Sequence, residues 1–117
     1  MKITDLTKVD KVPMTMEGAK GALKQIPLAR ADGVPHYSLR VFTIEPDGHT
    51  PYHSHPFEHM NYIIDGQGAL VDADGTERPV KKGDFALVMP GEVHQYKNTS
   101  TDNTPLVMIC LVPKDYE

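Results

Sequence analysis

The chain has 117 residues, which is near the usual size of one domain, and its formal net charge at pH 7 is −4. Lys and Arg are scattered among Asp and Glu, so there is no basic stripe that would indicate nucleic-acid binding and no cationic segment suited to a membrane surface. The single cysteine, Cys110, excludes an internal disulfide framework. Residues 1–15 lack the apolar run of a signal peptide, and no segment approaches the roughly 18 apolar residues of a membrane helix. We therefore expect a cytoplasmic protein.

Residues 1–37 are predicted to form a loose N-terminal arm with one or two strands. Its best helical segment, residues 17–26, is interrupted by Gly18 and Gly21, and we expect it to be a short strand or a loop. Such an arm could lie along the edge of the domain or exchange with a second subunit, which would protect an exposed strand edge.

From residue 38 onward, short segments rich in β-branched and aromatic residues alternate with turns such as Asp47-Gly48, Asp74-Gly75 and Pro90-Gly91. The predicted strands are 38–46, 50–55, 58–65, 68–73, 76–82, 85–90, 93–99 and 105–113. Eight strands at this regular spacing predict an all-β sandwich or barrel over residues 38–117. Pro79 lacks a backbone N–H and predicts an edge strand.

Four of the six histidines lie within residues 49–59, and three of them follow the pattern H-x-H-x3-H. Side chains alternate between the two faces of a strand, so His53, His55 and His59 share one parity and could converge on a metal ion. His94, after the Pro90-Gly91 turn, is the candidate for a fourth ligand. Neutral imidazoles suit Mn, Fe, Ni, Cu and Zn, and the lack of a nearby cysteine favours an open site over a structural zinc site. The alternative is a chance grouping of polar residues, which is the interpretation we prefer for His36 and His49.

Other residues are candidates for the wall of a substrate pocket. Arg40 and Phe42 share one face of the first long strand, and an inward Arg40 could bind a substrate carboxylate. The alternative is an exposed arginine or a surface ion pair. Met108 and Cys110 share one face of the last strand, where ordinary core packing is the alternative to lining a cavity.

The two histidine segments resemble the two sequence motifs of the cupin superfamily. The first motif, G-x5-H-x-H-x3-4-E-x6-G, is matched by Gly48, His53, His55, His59 and Gly66. The second, G-x5-P-x-G-x2-H-x3-N, is matched by the residues Gly83, Pro90, Gly91, His94 and Asn98. Some gaps differ by one residue, and all of these differences fall in turns. The similarity covers residues 38–113.

This resemblance implies the cupin double-stranded β-helix, a jelly-roll barrel, preceded here by the N-terminal arm. It also implies that His53, His55 and His94 are metal ligands. His59 stands where the family usually has glutamate, and the parity of Glu58 directs that side chain to the opposite face, so we prefer His59 as the fourth ligand. The segments are similar to small cupins that bind manganese through four histidines. Manganese is therefore the expected divalent ion, with Fe, Ni, Zn or Cu as alternatives, and a homodimer is the expected assembly.

Four neutral imidazoles leave a divalent ion with its full charge, which should strengthen it as a Lewis acid. We expect a metal-dependent oxygenase, a dioxygenase acting on a small organic substrate. The alternatives are a metal-assisted isomerase or lyase of a sugar- or uronate-like substrate and a non-catalytic small-molecule binding protein. Metal affinity should fall as pH drops through about 6 to 6.5, the usual pKa range of histidine. Tyr62, Gln95 and Tyr96 are candidate hydrogen-bond partners for the ligand imidazoles.

Overall fold

The computed structural model describes all residues from Met1 to Glu117 and contains nine β-strands. The strands are β1 (Val12–Pro13), β2 (Lys20–Leu28), β3 (Tyr37–His49), β4 (His59–Asp65), β5 (Gln67–Val71), β6 (Glu77–Lys81), β7 (Phe85–Val88), β8 (Gln95–Asn98) and β9 (Leu106–Pro113). Short 3₁₀ turns span Leu6–Lys8, Arg30–Asp32 and Lys114–Tyr116. None of the chain's helical segments has the length and apolar character needed to span a bilayer.

The strands form one curled antiparallel sheet in the order β6-β5-β8-β3-β9-β4-β7, and β2 pairs with β3 and with β1. The long strand β3 connects the two halves of the sheet. Its first part pairs with β9 from Tyr37 to Ile44, whereas its last residue, His49, lies opposite Lys97 of β8. The predicted all-β jelly roll is thus confirmed, and β6, which contains Pro79, lies at the end of the sheet order, as expected for a strand with a missing donor.

The core lies on the concave side of the sheet and is built by alternation along the strands. In β9 every second residue is buried, beginning with Leu106, and the residues between them are only partly covered. Ile44 of β3 and Ile63 of β4 are completely buried against the same cluster. Each such aliphatic side chain stabilises the fold by about 1.5–3 kcal/mol relative to exposure.

Two of the motif glycines are required by close backbone contacts near the site. At Gly48, in the bend that ends β3, an added Cβ would lie 2.7 Å from the carbonyl oxygen of Lys20. At Gly66, between β4 and β5, the φ angle is +79° and an added Cβ would lie 2.1 Å from the carbonyl oxygen of Pro105. Both positions therefore exclude larger residues, and they lie on either side of the histidine segment.

The predicted strand over residues 50–55 is wrong, because this segment is a loop with a single β-bridge at His53. Pro51 and Pro56 lack backbone N–H groups, so the segment cannot sustain a ladder of hydrogen bonds.

The N-terminal arm contains more regular structure than its glycines indicate. Its strand β2 has nine residues and pairs with β3 of the same chain, and Ala22 joins the core. The positive φ angles of Gly18 and Gly21 turn the chain into this strand. Exchange of the arm with a second subunit stays a prediction.

Candidate metal centre

The histidines come from three separate parts of the chain. His53 and His55 lie in the loop between β3 and β4, His59 is the first residue of β4, and His94 immediately precedes β8. Two backbone hydrogen bonds join the loop to the segment before β8: the His53 N–H donates to the His94 carbonyl at 3.1 Å, and the His94 N–H donates to the His53 carbonyl at 2.9 Å. This bridge brings together two segments that are 41 positions apart in the sequence.

Three imidazoles converge on one point. Ligand nitrogens of His53, His55 and His94 all lie within 4.8 Å of one another. The ring centroids of these three residues are 4.8–5.4 Å apart in pairs. The sequence predicted this convergence from strand parity, but His53 and His55 lie in a loop, so their common direction depends on the bridge to His94 instead.

Backbone carbonyls orient two of these rings. The Nδ1 of His55 is 2.7 Å from the Phe57 carbonyl oxygen, and the Nδ1 of His94 is 2.9 Å from the Glu92 carbonyl oxygen. A carbonyl can only accept, so Nδ1 must carry the hydrogen, and in the neutral ring the lone pair is left on Nε2.

The predicted partners Gln95 and Tyr96 are wrong, because both have other partners. The Tyr96 hydroxyl donates to Asn61 Oδ1 at 3.0 Å, and the Gln95 amide donates to the Thr50 carbonyl at 2.9 Å. Tyr62 is partly exposed on the outer face of β4, where its ring packs against Phe85. Side chains were expected to orient the imidazoles. Instead, the backbone carbonyl two residues away from His55 and from His94 contacts the Nδ1 of each ring.

The donor set fits a divalent transition metal. Nε2 of His55 is buried and has no hydrogen-bond partner. An unsatisfied buried acceptor costs about 1–3 kcal/mol, and a metal ion would use its lone pair directly. The ring of His94 is held in the same way, by a carbonyl at Nδ1, which leaves its Nε2 lone pair available. The chain therefore presents oriented, neutral nitrogen donors.

His59 lies beside the three converging rings but has a different partner. It is only 8% exposed, and its ring centroid is 4.0 Å from that of His55 and 5.4 Å from that of His94. Its Nε2 is 3.0 Å from Nη2 of Arg40. A guanidinium can only donate, so Nε2 of His59 is the acceptor. A fourth-ligand role for His59 stays a prediction. If Nε2 is the ligand atom, its hydrogen bond from Arg40 has to break before the lone pair can bind a metal.

The environment keeps the imidazoles neutral. Burial, followed by the positive charge of Arg40, lowers the pKa of His59 from 6.5 to about 2. Burial also lowers the pKa values of His53, His55 and His94. Neutral histidine is the form that binds metals. The metal affinity should therefore fall at a lower pH than the range of about 6 to 6.5 expected from the sequence.

A cavity of about 320 Å³ opens beside the histidines. Its buried wall includes the predicted pocket residues Arg40, Phe42 and Met108. Cys110 does not line the cavity, but its Sγ accepts a hydrogen bond from Nη2 of Arg40 at 3.1 Å. The alternative of an exposed Arg40 is wrong, because only 7% of the residue is exposed. His49 lies outside the lining, as predicted.

Several lining residues are not apparent from the sequence. The wall also includes Asn61 and Tyr96 from the barrel, and its rim includes Met14 and Met16 from the N-terminal arm and Tyr116 from the last 3₁₀ turn. The rim residues are far from the histidine motifs in sequence, and no local pattern identifies them. Phe57 could have been found from its position two residues after His55, on which its ring stacks at 4.1 Å.

The model of the Cupin domain family matches residues 40–112 of this chain. An oxalate-binding protein of Thermotoga maritima is 30% identical over 101 residues, which cover 83% of this chain and 80% of that protein. Among solved structures, the polyketide cyclase RemF from Streptomyces resistomycificus is 27% identical and superposes with a TM-score of 0.91 over 97% of this chain and 80% of that one. A sugar phosphate isomerase of the cupin superfamily from Silicibacter pomeroyi is 20% identical, with a TM-score of 0.78 over 95% of this chain and 75% of its own; it shares the fold.

Burial of neutral histidines makes the stability of the metal-free protein dependent on pH. The folded-state pKa of His59 is lower than the unfolded value of about 6.5, so the unfolded chain binds more protons below pH 6.5 and stability falls as the pH drops. Between pH 7.5 and 5 we expect His59 alone to account for a loss of about 2 kcal/mol. Urea unfolding of metal-free wild-type protein and of His59→Gln at pH 7.5, 6.5 and 5 measures this. The variant should show the shallower pH dependence, and equal slopes would contradict the burial of a neutral His59.

Proposed function

This chain belongs to the cupin family, and on that premise we propose that it is a metal-dependent enzyme that converts a small organic molecule in the cavity beside the histidine cluster. One observation carries the proposal. Nε2 of His55 is buried and has no hydrogen-bond partner, and a ring nitrogen from each of His53, His55 and His94 lies within 4.8 Å of the others. An unsatisfied buried acceptor destabilises the fold, so this nitrogen does not contribute to stability in the metal-free protein. It is suited to an ion.

The proposed ligand set is His53, His55 and His94, with His59 as the fourth ligand and manganese as the resident ion. When bound, such an ion supplies Lewis-acid chemistry to a carbonyl or enol oxygen, and a redox-active ion also supplies reactivity toward O2. The chain's own contribution is to hold neutral nitrogens in place and to surround the reacting group with a largely apolar wall.

The lining of the cavity favours a substrate with an apolar body over a sugar or uronate. Phe42, Phe57, Met108 and Tyr116 supply aromatic and thioether surface, and no carboxylate side chain lines the cavity. Sugars are usually held by several polar side chains. Apart from Arg40, Tyr116 and the histidines, the polar side chains of the lining are Thr50, Ser54, Asn61 and Tyr96, and the last two already hydrogen bond to each other. Similarity to a polyketide cyclase at 27% identity supports the same choice.

The reaction that we favour is therefore proton transfer or carbon–carbon bond rearrangement next to a carbonyl group, without oxidation. Burial raises the pKa of the Tyr96 hydroxyl, so this group stays protonated and serves as a hydrogen-bond donor, not as a base. The imidazoles are the only basic side chains in the lining apart from the permanently charged Arg40.

The dioxygenase predicted from the sequence is the second candidate. Its support is the small number of protein ligands: three or four imidazoles leave coordination positions open for a substrate and O2. A non-catalytic binding protein is the outcome if neither reaction is detected. A cytoplasmic location stays a prediction.

Metal binding tests the ligand set. Elemental analysis and calorimetry with Mn²⁺ should show one ion per chain in the wild-type protein. We expect His53→Ala to abolish this binding and His59→Ala to weaken it at least about tenfold, because each removes a nitrogen donor. His36→Ala, at an exposed histidine, and Glu58→Ala are the matched controls and should bind like the wild type. Wild-type protein that takes up less than about a tenth of an equivalent of Mn²⁺, Fe²⁺ or Zn²⁺ would contradict the proposal.

Comparison of two metals separates the two reactions. Protein loaded with Zn²⁺ or Mn²⁺ should accelerate exchange of the α-hydrogens of phenylacetone for deuterium, followed by NMR, at least about tenfold over His53→Ala. A dioxygenase should instead consume O2 with Mn²⁺ or Fe²⁺ and not with Zn²⁺, across a panel of diketones, catechols and flavonols. If the protein neither catalyses exchange nor consumes O2, the enzymatic proposal is wrong.

We also propose that the protein is a homodimer. Met60 and Tyr62 of β4 lie opposite Leu87 and Phe85 of the last strand in the sheet order, and these side chains are 50%, 36%, 58% and 82% exposed. A continuous apolar face of this kind is unusual on a monomer, and a second copy would bring an identical apolar face to it. Phe85→Asp should lower the mass measured by sedimentation from dimer to monomer, whereas Ile3→Asp, at a residue 97% exposed elsewhere, should not. A monomeric wild-type protein would contradict this.

A further inference from the structure

Arg40 is a buried positive charge without a counter-ion. It is 7% exposed, lines the cavity and takes part in none of the six ion pairs of the chain. Its Nη2 donates to His59 at 3.0 Å and to the Cys110 sulfur at 3.1 Å, and its Nε is buried with no partner. Two neutral acceptors satisfy part of the guanidinium, but neither of them neutralises it.

A guanidinium keeps its proton under physiological conditions, so burial leaves the positive charge in place. Its central carbon lies 4.8 Å from the centre of the Phe42 ring, and the resulting cation–π contact compensates only part of the lost hydration. No Asp or Glu side chain lines the cavity. The missing negative charge therefore has to come from a molecule that enters it.

The remaining wall indicates what kind of molecule this is. Phe57 and Tyr116 stack on each other with ring centres 4.3 Å apart, and Met14 packs against the core on the same cavity. A cavity of about 320 Å³ is much larger than an inorganic anion requires.

From these features we infer that Arg40 is an anion subsite and that the substrate is an organic monoanion, an acidic oxygen group attached to a flat apolar body. The acidic oxygen of a carboxylate, phenolate or enolate binds the guanidinium, and the apolar body lies along the aromatic and methionine side chains. The inference deepens the proposed function, on which it rests for the assignment of this cavity as the substrate site. Arg40 itself needs no metal to bind the anion.

The test uses 2-naphthoate and its uncharged counterpart 2-naphthamide as probes. Their binding is measured by calorimetry with the full chain, both metal-free and Zn²⁺-loaded. We expect metal-free wild-type protein to bind the carboxylate at least about tenfold more tightly than the amide. Arg40→Met should bring this ratio to about one, and Arg40→Lys should keep an intermediate preference. Arg78→Met, at an arginine whose side chain is 70% exposed, should behave like the wild type.

Equal affinities of wild-type protein for the two probes, or no saturable binding of either, would overturn the inference, and this comparison needs no variant to fold. A preference that survives in Arg40→Met would overturn the role of Arg40. Displacement of 2-naphthoate by formate or phosphate at equal concentration would indicate a general anion site and overturn the assignment to an organic acid. Failure of the proposed function is seen separately, as absence of metal uptake by the same wild-type protein.

Discussion

The backbone bridge between His53 and His94 is the contact on which the rest of the site depends. It joins a loop that has no ladder of its own to the segment before β8, and it does so with the two backbone hydrogen bonds of a single residue pair. Two further backbone bonds flank it: the Thr50 N–H donates to the Tyr96 carbonyl and the Gly91 N–H to the His55 carbonyl, each at 2.9 Å. Because the bridge lies between the two histidines themselves, the interaction that closes the fold also sets the distance between two candidate ligands.

Around this bridge the protein arranges charge in an unusual way. Its imidazoles are kept neutral by burial, and the group with a permanent charge, Arg40, hydrogen bonds to one of them. Negative charge is absent from the lining. A cavity built from neutral bases and one buried cation favours ligands that bring electrons or negative charge: a carbonyl or enol oxygen toward the histidines, and an anionic oxygen toward the arginine. Metal binding by His59 and anion binding by Arg40 are thus coupled, because the two residues share one hydrogen bond.

Much of this could be predicted from local chemistry. Turn residues such as Asp74-Gly75 and Pro90-Gly91 separate strands whose observed bounds differ from the predicted ones by a few residues at most. The prediction for residues 50–55 failed because strand formation depends on the partner strand. Residues 50–55 have alternating side chains but no partner strand along their length. By contrast, β2 contains Gly21 and still forms, because the long strand β3 provides an edge for pairing.

The sequence by itself determined the class of the fold and which histidines are the candidate metal ligands. Period-two alternation, turn chemistry and the spacing of histidines are local properties, and they persist whatever the rest of the chain does. Only the tertiary structure decided that backbone carbonyls orient His55 and His94, that Arg40 is buried without a counter-ion, and that Met14 and Tyr116 reach the same cavity. These facts depend on contacts between residues that are distant in sequence. Packing decides the burial and the partners of each polar atom, and local composition does not reveal either.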